Sequence, residues 1–119
     1  MREKLHAAHP NTSGLFDVKH DPGGMIDIEF AVQYLVLAFS HRHPDLTKNL
    51  GNIALLGMAA GFSLVEENLS AKTADAYRTY RRLQHGLRLN GARYARVEAK
   101  AVAAHVAAVR ALWSAVFER

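Results

Sequence analysis

The chain has no cysteine among its 119 residues. That removes disulfide scaffolds and cysteine-ligated metal sites from consideration, and it fits a reducing, cytoplasmic setting. Proline is scarce too, and Pro10, Pro22 and Pro44 all fall in breaks between helical stretches. No apolar run reaches the ~18 residues that a membrane span needs. The run from Ile28 to Phe39 is short and is interrupted by Glu29 and Gln33, so no membrane partner is expected. Met1-Arg2-Glu3-Lys4 has no apolar stretch behind it, and no signal peptide is visible. There is no Gly-x-Ser-x-Gly, no P-loop and no Gly-x-Gly-x-x-Gly, so no nucleophile elbow or phosphate loop of a known kind is legible.

What is present is helical. With 50% apolar and 22% charged residues, the chain reads as globular and large enough for one domain spanning 1–119. The net charge of +4 permits an anionic partner without demanding nucleic acid. Met1–Ala8 reads as the end of a helix, as if the sequence were cut from something longer, and Pro10 to Gly14 stop it. A weakly alternating segment, Phe16–His20, precedes a Pro-Gly-Gly turn. A long helix then runs from Met25 to about His41, apolar on most sides and therefore central. Its polar residues Glu29, Gln33 and Ser40 fall in one narrow stripe at ~100° per residue. A second helix spans about Asn49–Gly61 with Ile53, Leu56 and Ala60 inward, Gly61 as its stop, and Gly51 and Gly57 as candidate close contacts.

Ser63-Leu64-Val65-Glu66 has the pattern of a capping box that opens the longest helix, ending at Asn90-Gly91. Val65, Leu69, Ala76, Tyr80, Leu83 and Leu87 share its inner face, and Arg78, Arg81, Arg82, His85 and Arg88 the opposite one. The last helix, about Val97–Phe117, repeats Val102, Val106, Val109, Trp113 and Val116 at bundle spacing. No strand pair is visible. The expected fold is all-α, a bundle of four to five helices.

The functional signal is concentrated in Phe16-Asp17-Val18-Lys19-His20-Asp21-Pro22-Gly23-Gly24-Met25-Ile26-Asp27-Ile28-Glu29-Phe30. Adjacent glycines permit positive φ and close approach. A glycine turn feeding a helix N-terminus is a recognised form of anion site, and Lys19 adds a positive charge. Asp27 and Glu29 lie about 200° apart on the helix, so both cannot face solvent. Two readings stand: carboxylates near a metal or phosphate, or Asp27 capping at about N3 with Glu29 paired to Gln33 or a nearby cation. His41-x-His43 lacks convergent partners, and no metal site is expected. The arginine face has no interleaved aromatics to stack bases, so a solvated or protein-facing role outweighs nucleic-acid binding.

That fifteen-residue run, followed by Val32-Gln33-Tyr34-Leu35-Val36-Leu37, closely resembles bifunctional glutamine synthetase adenylyltransferase/adenylyl-removing enzymes. The resemblance extends through Pro44-Asp45-Leu46-Thr47, Asn52-Ile53, Leu55-Leu56, Glu66-Glu67, Ala76-Tyr77 and Val109-Arg110-Ala111-Leu112-Trp113, essentially the whole chain. It departs at Leu50-Gly51, where relatives often have Ser-Asp. The family has two nucleotidyltransferase domains, each followed by a helical bundle. One half attaches AMP from ATP to a tyrosine of glutamine synthetase, and the other removes it by phosphorolysis. The wording around Gly23-Gly24 resembles the C-terminal, adenylylating half.

The resemblance thus implies a bundle that follows a nucleotidyltransferase domain absent from this sequence, since the family's Gly-Ser-x-x-Asp metal motif is missing here. It implies Mg2+ and ATP in the parent enzyme, with neither expected on this segment alone and no catalytic residue in it. Lys19, Gly23, Gly24, Asp27 and Glu29 become candidates for residues near the nucleotide or the cleft. The implied partners are glutamine synthetase, a PII-type signal protein and the parent's own catalytic domain, in the cytoplasm. The rival expectation is a non-catalytic module that docks glutamine synthetase or a PII-type protein.

Overall fold

A computed structural model describes residues 14–47 and 51–118. The expected helix end at Met1–Ala8 lies outside the described residues. Within them are α1 (Met25–Phe39), α2 (Asn52–Gly61), α3 (Glu67–Leu89) and α4 (Ala103–Phe117), with short 3-10 turns at Pro44–Thr47 and Ala99–Val102. The all-α bundle is therefore observed. One addition was not foreseen: β1 (Phe16–Asp17) pairs antiparallel with β2 (Arg96–Val97), Phe16 opposite Val97 and Asp17 opposite Arg96. Two residues a side are too few for alternation to show in a sequence. The pairing displaces the expected start of the last helix, so Val97 is strand and α4 begins only at Ala103.

α1 buries Ile28, Ala31, Val32 and Leu35, the i, i+3, i+4 and i+7 positions of one face, together with Met25 and Asp27. It packs against α2, α3 and α4. It is less enclosed than its composition suggests, because Tyr34 is 45% and Leu37 72% exposed. Ile28, Leu56, Ala76, Tyr80, Val109 and Leu112 meet in one core drawn from all four helices. Ser70 on α3 donates its hydroxyl to the Leu56 carbonyl of α2 at 2.7 Å, tying those helices together inside the core.

The capping box at Ser63 does not form. Ser63 adopts φ 61°, its N–H bonds to the Ala60 carbonyl, and the Leu64 N–H reaches the Ala59 carbonyl at 2.8 Å. This is a Schellman closure of α2, and a residue in left-handed conformation at that closure cannot also cap the next helix. α3 starts instead after Glu66, without a side-chain cap. Ser63, not Gly61, is thus the residue that turns the chain out of α2. Gly91 closes α3 in the same way, at φ 83° with the Ala92 N–H on the Leu87 carbonyl. Gly51 and Gly57 mark no close contact, since a Cβ at either would meet nothing within 4 Å.

The stretch Ala99–Phe117 is long and apolar enough to cross a membrane by length and composition, with 19 residues at mean hydropathy 1.3. That corrects the expectation that no run qualifies. Val102, Val109, Leu112 and Val116 form its buried side, and the exposed positions are largely alanine, at 101, 103, 104, 107 and 111. Alanine raises the hydropathy of an outward face without making it sticky. Of the expected seam, Val106 and Trp113 are half-buried and Leu112 takes the central place.

Candidate functional site at the entrance of α1

Asp17 organises the loop that leads into α1. It is completely buried, and its Oδ1 accepts the N–H groups of Lys19 and His20, each at 3.0 Å. Its Oδ2 lies 3.4 Å from His20 Nδ1 and 3.6 Å from Arg96 Nε. The Asp17 N–H donates to Asp21 Oδ2 at 2.9 Å, and the Val18 N–H continues the ladder to the Ala95 carbonyl. One buried carboxylate thereby folds the turn and joins it to β2, as aspartate does in local side-chain to backbone turns.

The turn then delivers the chain into the helix. The Met25 N–H donates to the Val18 carbonyl at 2.7 Å and the Ile26 N–H to the Lys19 carbonyl at 3.1 Å. Gly24 N–H reaches the Asp21 carbonyl, and Gly23 N–H reaches Asp27 Oδ2 at 2.8 Å. The Gly23 carbonyl accepts the Tyr80 hydroxyl at 2.9 Å. The N–H groups that would make a helix N-terminus an anion site therefore hold the chain's own loop.

Both glycines are required by packing. Gly23 has φ 92°, and a Cβ there would lie 2.8 Å from Val106 Cγ1. A Cβ on Gly24 would lie 2.7 Å from the Val18 carbonyl oxygen and 2.9 Å from that of Asp21. Asp27 is the third residue of the helix, as expected of N3, and is 1% exposed. It reaches back to Gly23, outside the helix, in the manner of a capping box without its serine half.

Glu29 lies on a different side of α1 from Asp27 and is half-buried. Burial pushes its carboxyl above the ordinary value, opposed by the Lys19 ammonium and by a hydrogen bond from the Tyr77 hydroxyl. Asn52 Nδ2 donates to the Tyr77 hydroxyl oxygen at 3.1 Å, so α2 and α3 are joined beside Glu29 of α1. Burial chiefly raises the Tyr77 phenol as well, and the Arg81 guanidinium, 5.9 Å from its ring centre, works against that. Of the sequence candidates, Lys19 lies near enough for its charge to act on Glu29 without an ion pair within 4 Å, and Gly23, Gly24 and Asp27 form a separate buried joint.

Asn52 and Tyr77 carried no role in the sequence reading. Their only signal was membership of the quoted family pattern, because helical periodicity says nothing about which residue of another helix will face Glu29. Arg78, Arg81, Arg82, His85 and Arg88 are exposed along α3, as their spacing required. His41 is exposed, and His43 stacks on Phe62 with ring centres 4.0 Å apart. Among the described residues, no three His, Cys, Asp or Glu side chains converge in a way that could hold a metal ion.

Comparison with known proteins agrees with the resemblance. The sequence profile of the family described as GlnD PII-uridylyltransferase matches residues 1–115. A bifunctional glutamine synthetase adenylyltransferase/adenylyl-removing enzyme of Burkholderia mallei is 57% identical over 117 residues, covering 98% of this chain and 13% of that protein. Proteins of the same name from Bordetella bronchiseptica and Nitrosomonas eutropha are 52% and 46% identical, over 99% and 98% of the chain. The chain spans only 12% to 14% of the length of these relatives. The profile's name refers to a uridylyltransferase, whereas these relatives are named adenylyltransferases; the high identity over nearly the full chain makes the latter the finer guide. The chain belongs to the family that the GlnD PII-uridylyltransferase profile describes, and within it is similar over nearly its whole length to the bifunctional glutamine synthetase adenylyltransferases.

Proposed function

We propose that this chain is the helical bundle that follows the adenylylating nucleotidyltransferase domain of a glutamine synthetase adenylyltransferase, an enzyme transferring AMP from ATP to a tyrosine of glutamine synthetase. Its placement in the parent, the cytoplasmic setting and a PII-type regulator belong to the same proposal. The observation that carries a cleft-facing role is Glu29. It is a half-buried acid beside Tyr77, within the field of the Lys19 charge, on the helix that opens at the Gly23-Gly24 turn. An acid kept against its own desolvation is better explained by what it faces than by fold stability.

The described residues do not fit Mg2+ by themselves. Asp27 is committed to Gly23, and among the described residues no three His, Cys, Asp or Glu side chains converge to hold an ion. In this proposal the metal and ATP are held by the parent's catalytic domain. The bundle fixes Glu29, beside the Asn52–Tyr77 pair, at the edge of that cleft, and the isolated chain is inactive.

The test is AMP transfer to glutamine synthetase by the full-length parent enzyme carrying Glu29→Gln, Glu29→Ala or the control Gln33→Ala. A loss of more than about tenfold for both Glu29 variants, with Gln33→Ala near wild type, supports the role. Full activity of both Glu29 variants would falsify it.

A second reading is favoured by a different feature. Tyr34 and Phe117, with ring centres 5.0 Å apart, cluster with Trp113 where α1 meets α4, and Leu37, about one turn along α1 from Tyr34, is exposed. Such a patch suits docking of a protein partner, glutamine synthetase or a PII-type protein. Leu37→Asp would weaken complex formation under that reading and leave Glu29-dependent transfer rates at saturating partner unchanged.

A further inference from the structure

We propose that the cleft between the last turn of α3, residues 90–95 and the loop after β1 binds a phosphoryl anion: free phosphate or pyrophosphate, or the phosphate tail of a nucleotide. The cleft has a volume of about 370 Å3, and Lys19, His20, Arg88 and Arg93 line it together with Gln84 and Tyr94. Three of these side chains are permanently charged and converge from three separate segments. A solvated helix face does not produce that arrangement, since its charges diverge.

The charge in the cleft is not neutralised from within. Asp17 is the acidic residue in its lining, and both its oxygens are engaged, Oδ1 by the N–H groups of Lys19 and His20 and Oδ2 beside Arg96 and His20. Among the described residues, Lys19, Arg88 and Arg93 make no ion pair with a carboxylate within 4 Å. By contrast Arg78, farther along the same helix, is tied to Asp75 at 2.9 Å. Preorganisation comes from Tyr94. The Arg96 guanidinium lies 4.0 Å from its ring centre and that of Arg93 lies 5.4 Å away, which stiffens the wall carrying Arg93.

Two guanidinium groups and an ammonium lining one cleft match a compact, multiply charged oxyanion with several equivalent acceptor oxygens. Gln84 adds an amide donor for one more oxygen. A phosphoryl group, with three terminal oxygens and more charge than a carboxylate, is the better fit to several cations. The adjoining depression along Arg78, Arg81 and Arg82 also contains Arg88, but its cations all come from one helix and surround nothing.

The proposal does not rest on the role given to Glu29. Binding is read on the 119-residue chain itself, so either idea can fail alone. The experiment is a titration of the chain with orthophosphate, pyrophosphate and ATP in separate arms at physiological salt, followed by amide chemical shifts. Pyrophosphate is expected to saturate, moving signals of residues 19–20 and 93–95. Arg88→Gln with Arg93→Gln is expected to weaken it at least about tenfold, with thermal unfolding unchanged because both side chains are exposed. Arg82→Gln in the neighbouring depression is expected to bind as wild type.

Tighter binding of ATP than of pyrophosphate assigns the cleft to a nucleotide tail, and equal binding assigns it to the free anion; both support the site. Shifts spread over residues 78–82, equal weakening by Arg82→Gln, or no saturation by any of the three anions would overturn it.

Discussion

Tyr80 donates its hydroxyl to the carbonyl of Gly23 across 57 residues of sequence, at 2.9 Å. The N–H of the same glycine donates to Asp27 at 2.8 Å. One peptide link on each side of Gly23 is thus clamped from a different helix, and the turn's shape depends on both clamps. Asp27→Ala strands a buried N–H and should cost about 1–3 kcal/mol; Tyr80→Phe strands a carbonyl and should cost about 1–2 kcal/mol. Because they hold one residue, the double variant should lose less than the sum. Urea unfolding of the four proteins checks this, and strict additivity would show that the clamps act independently.

The glycines should respond in opposite directions. Gly24→Ala forces a methyl onto two carbonyl oxygens closer than 3 Å, and we expect a loss of about 1–3 kcal/mol or more. Gly57→Ala, in the exposed middle of α2 with nothing near the new methyl, should gain about 0.5–1 kcal/mol. Thermal melts of the two variants suffice, and a tolerated Gly24→Ala would contradict the close approach described.

Glu29 should reveal itself through pH. Burial holds its carboxyl above 4.5, although Lys19 and Tyr77 pull it back. Between 4.5 and the higher folded value, the native protein retains a proton that the unfolded chain has released. Stability therefore falls as pH rises through that window, and the penalty is complete above it. Glu29→Gln should melt at a higher temperature than wild type near neutral pH, with the advantage fading in acid below that window. Equal melting temperatures at neutral pH would mean that the acid is not penalised.

At the alkaline end the same rule applies to two tyrosines. Burial, and then the charge of Asp27, raise the Tyr80 phenol above 10.0, and burial chiefly raises that of Tyr77. The unfolded chain releases these protons first, so stability is intact below 10.0 and declines as pH climbs beyond it. Tyrosinate absorbance in a base titration should show a component that lags a free tyrosine and shrinks in Tyr80→Phe. A titration with no lagging component would refute the buried environment.

Helix existence was legible because four amphipathic or apolar periods are hard to mistake, and the arginine side of α3 followed from the same arithmetic. The boundaries were not. Ser63 looked like a cap for the helix after it because the pattern cannot tell that the helix before it needs a left-handed residue at that position. The position of Asp27 on α1 was legible, but its depth was not, since Tyr80 and Gly23 meet only through tertiary packing. Lys19 and Glu29 could be named from one segment. The neighbourhood of Glu29 with Tyr77 and Asn52 could not, as that draws on three helices whose rotations no local pattern specifies.

The β1–β2 ladder also bears on the order of assembly. α2 and α3 are neighbours in sequence and can pair early, but the turn before α1 is held by Ala95 and by β2, and Val106 of α4 closes over Gly23. Contacts of such long separation form slowly. During synthesis the helix entrance thus has its N-terminal half ready long before its C-terminal half has left the ribosome. Whatever the entrance binds will meet a finished surface only on a completed chain, and truncations that spare every residue of α1 should still abolish it.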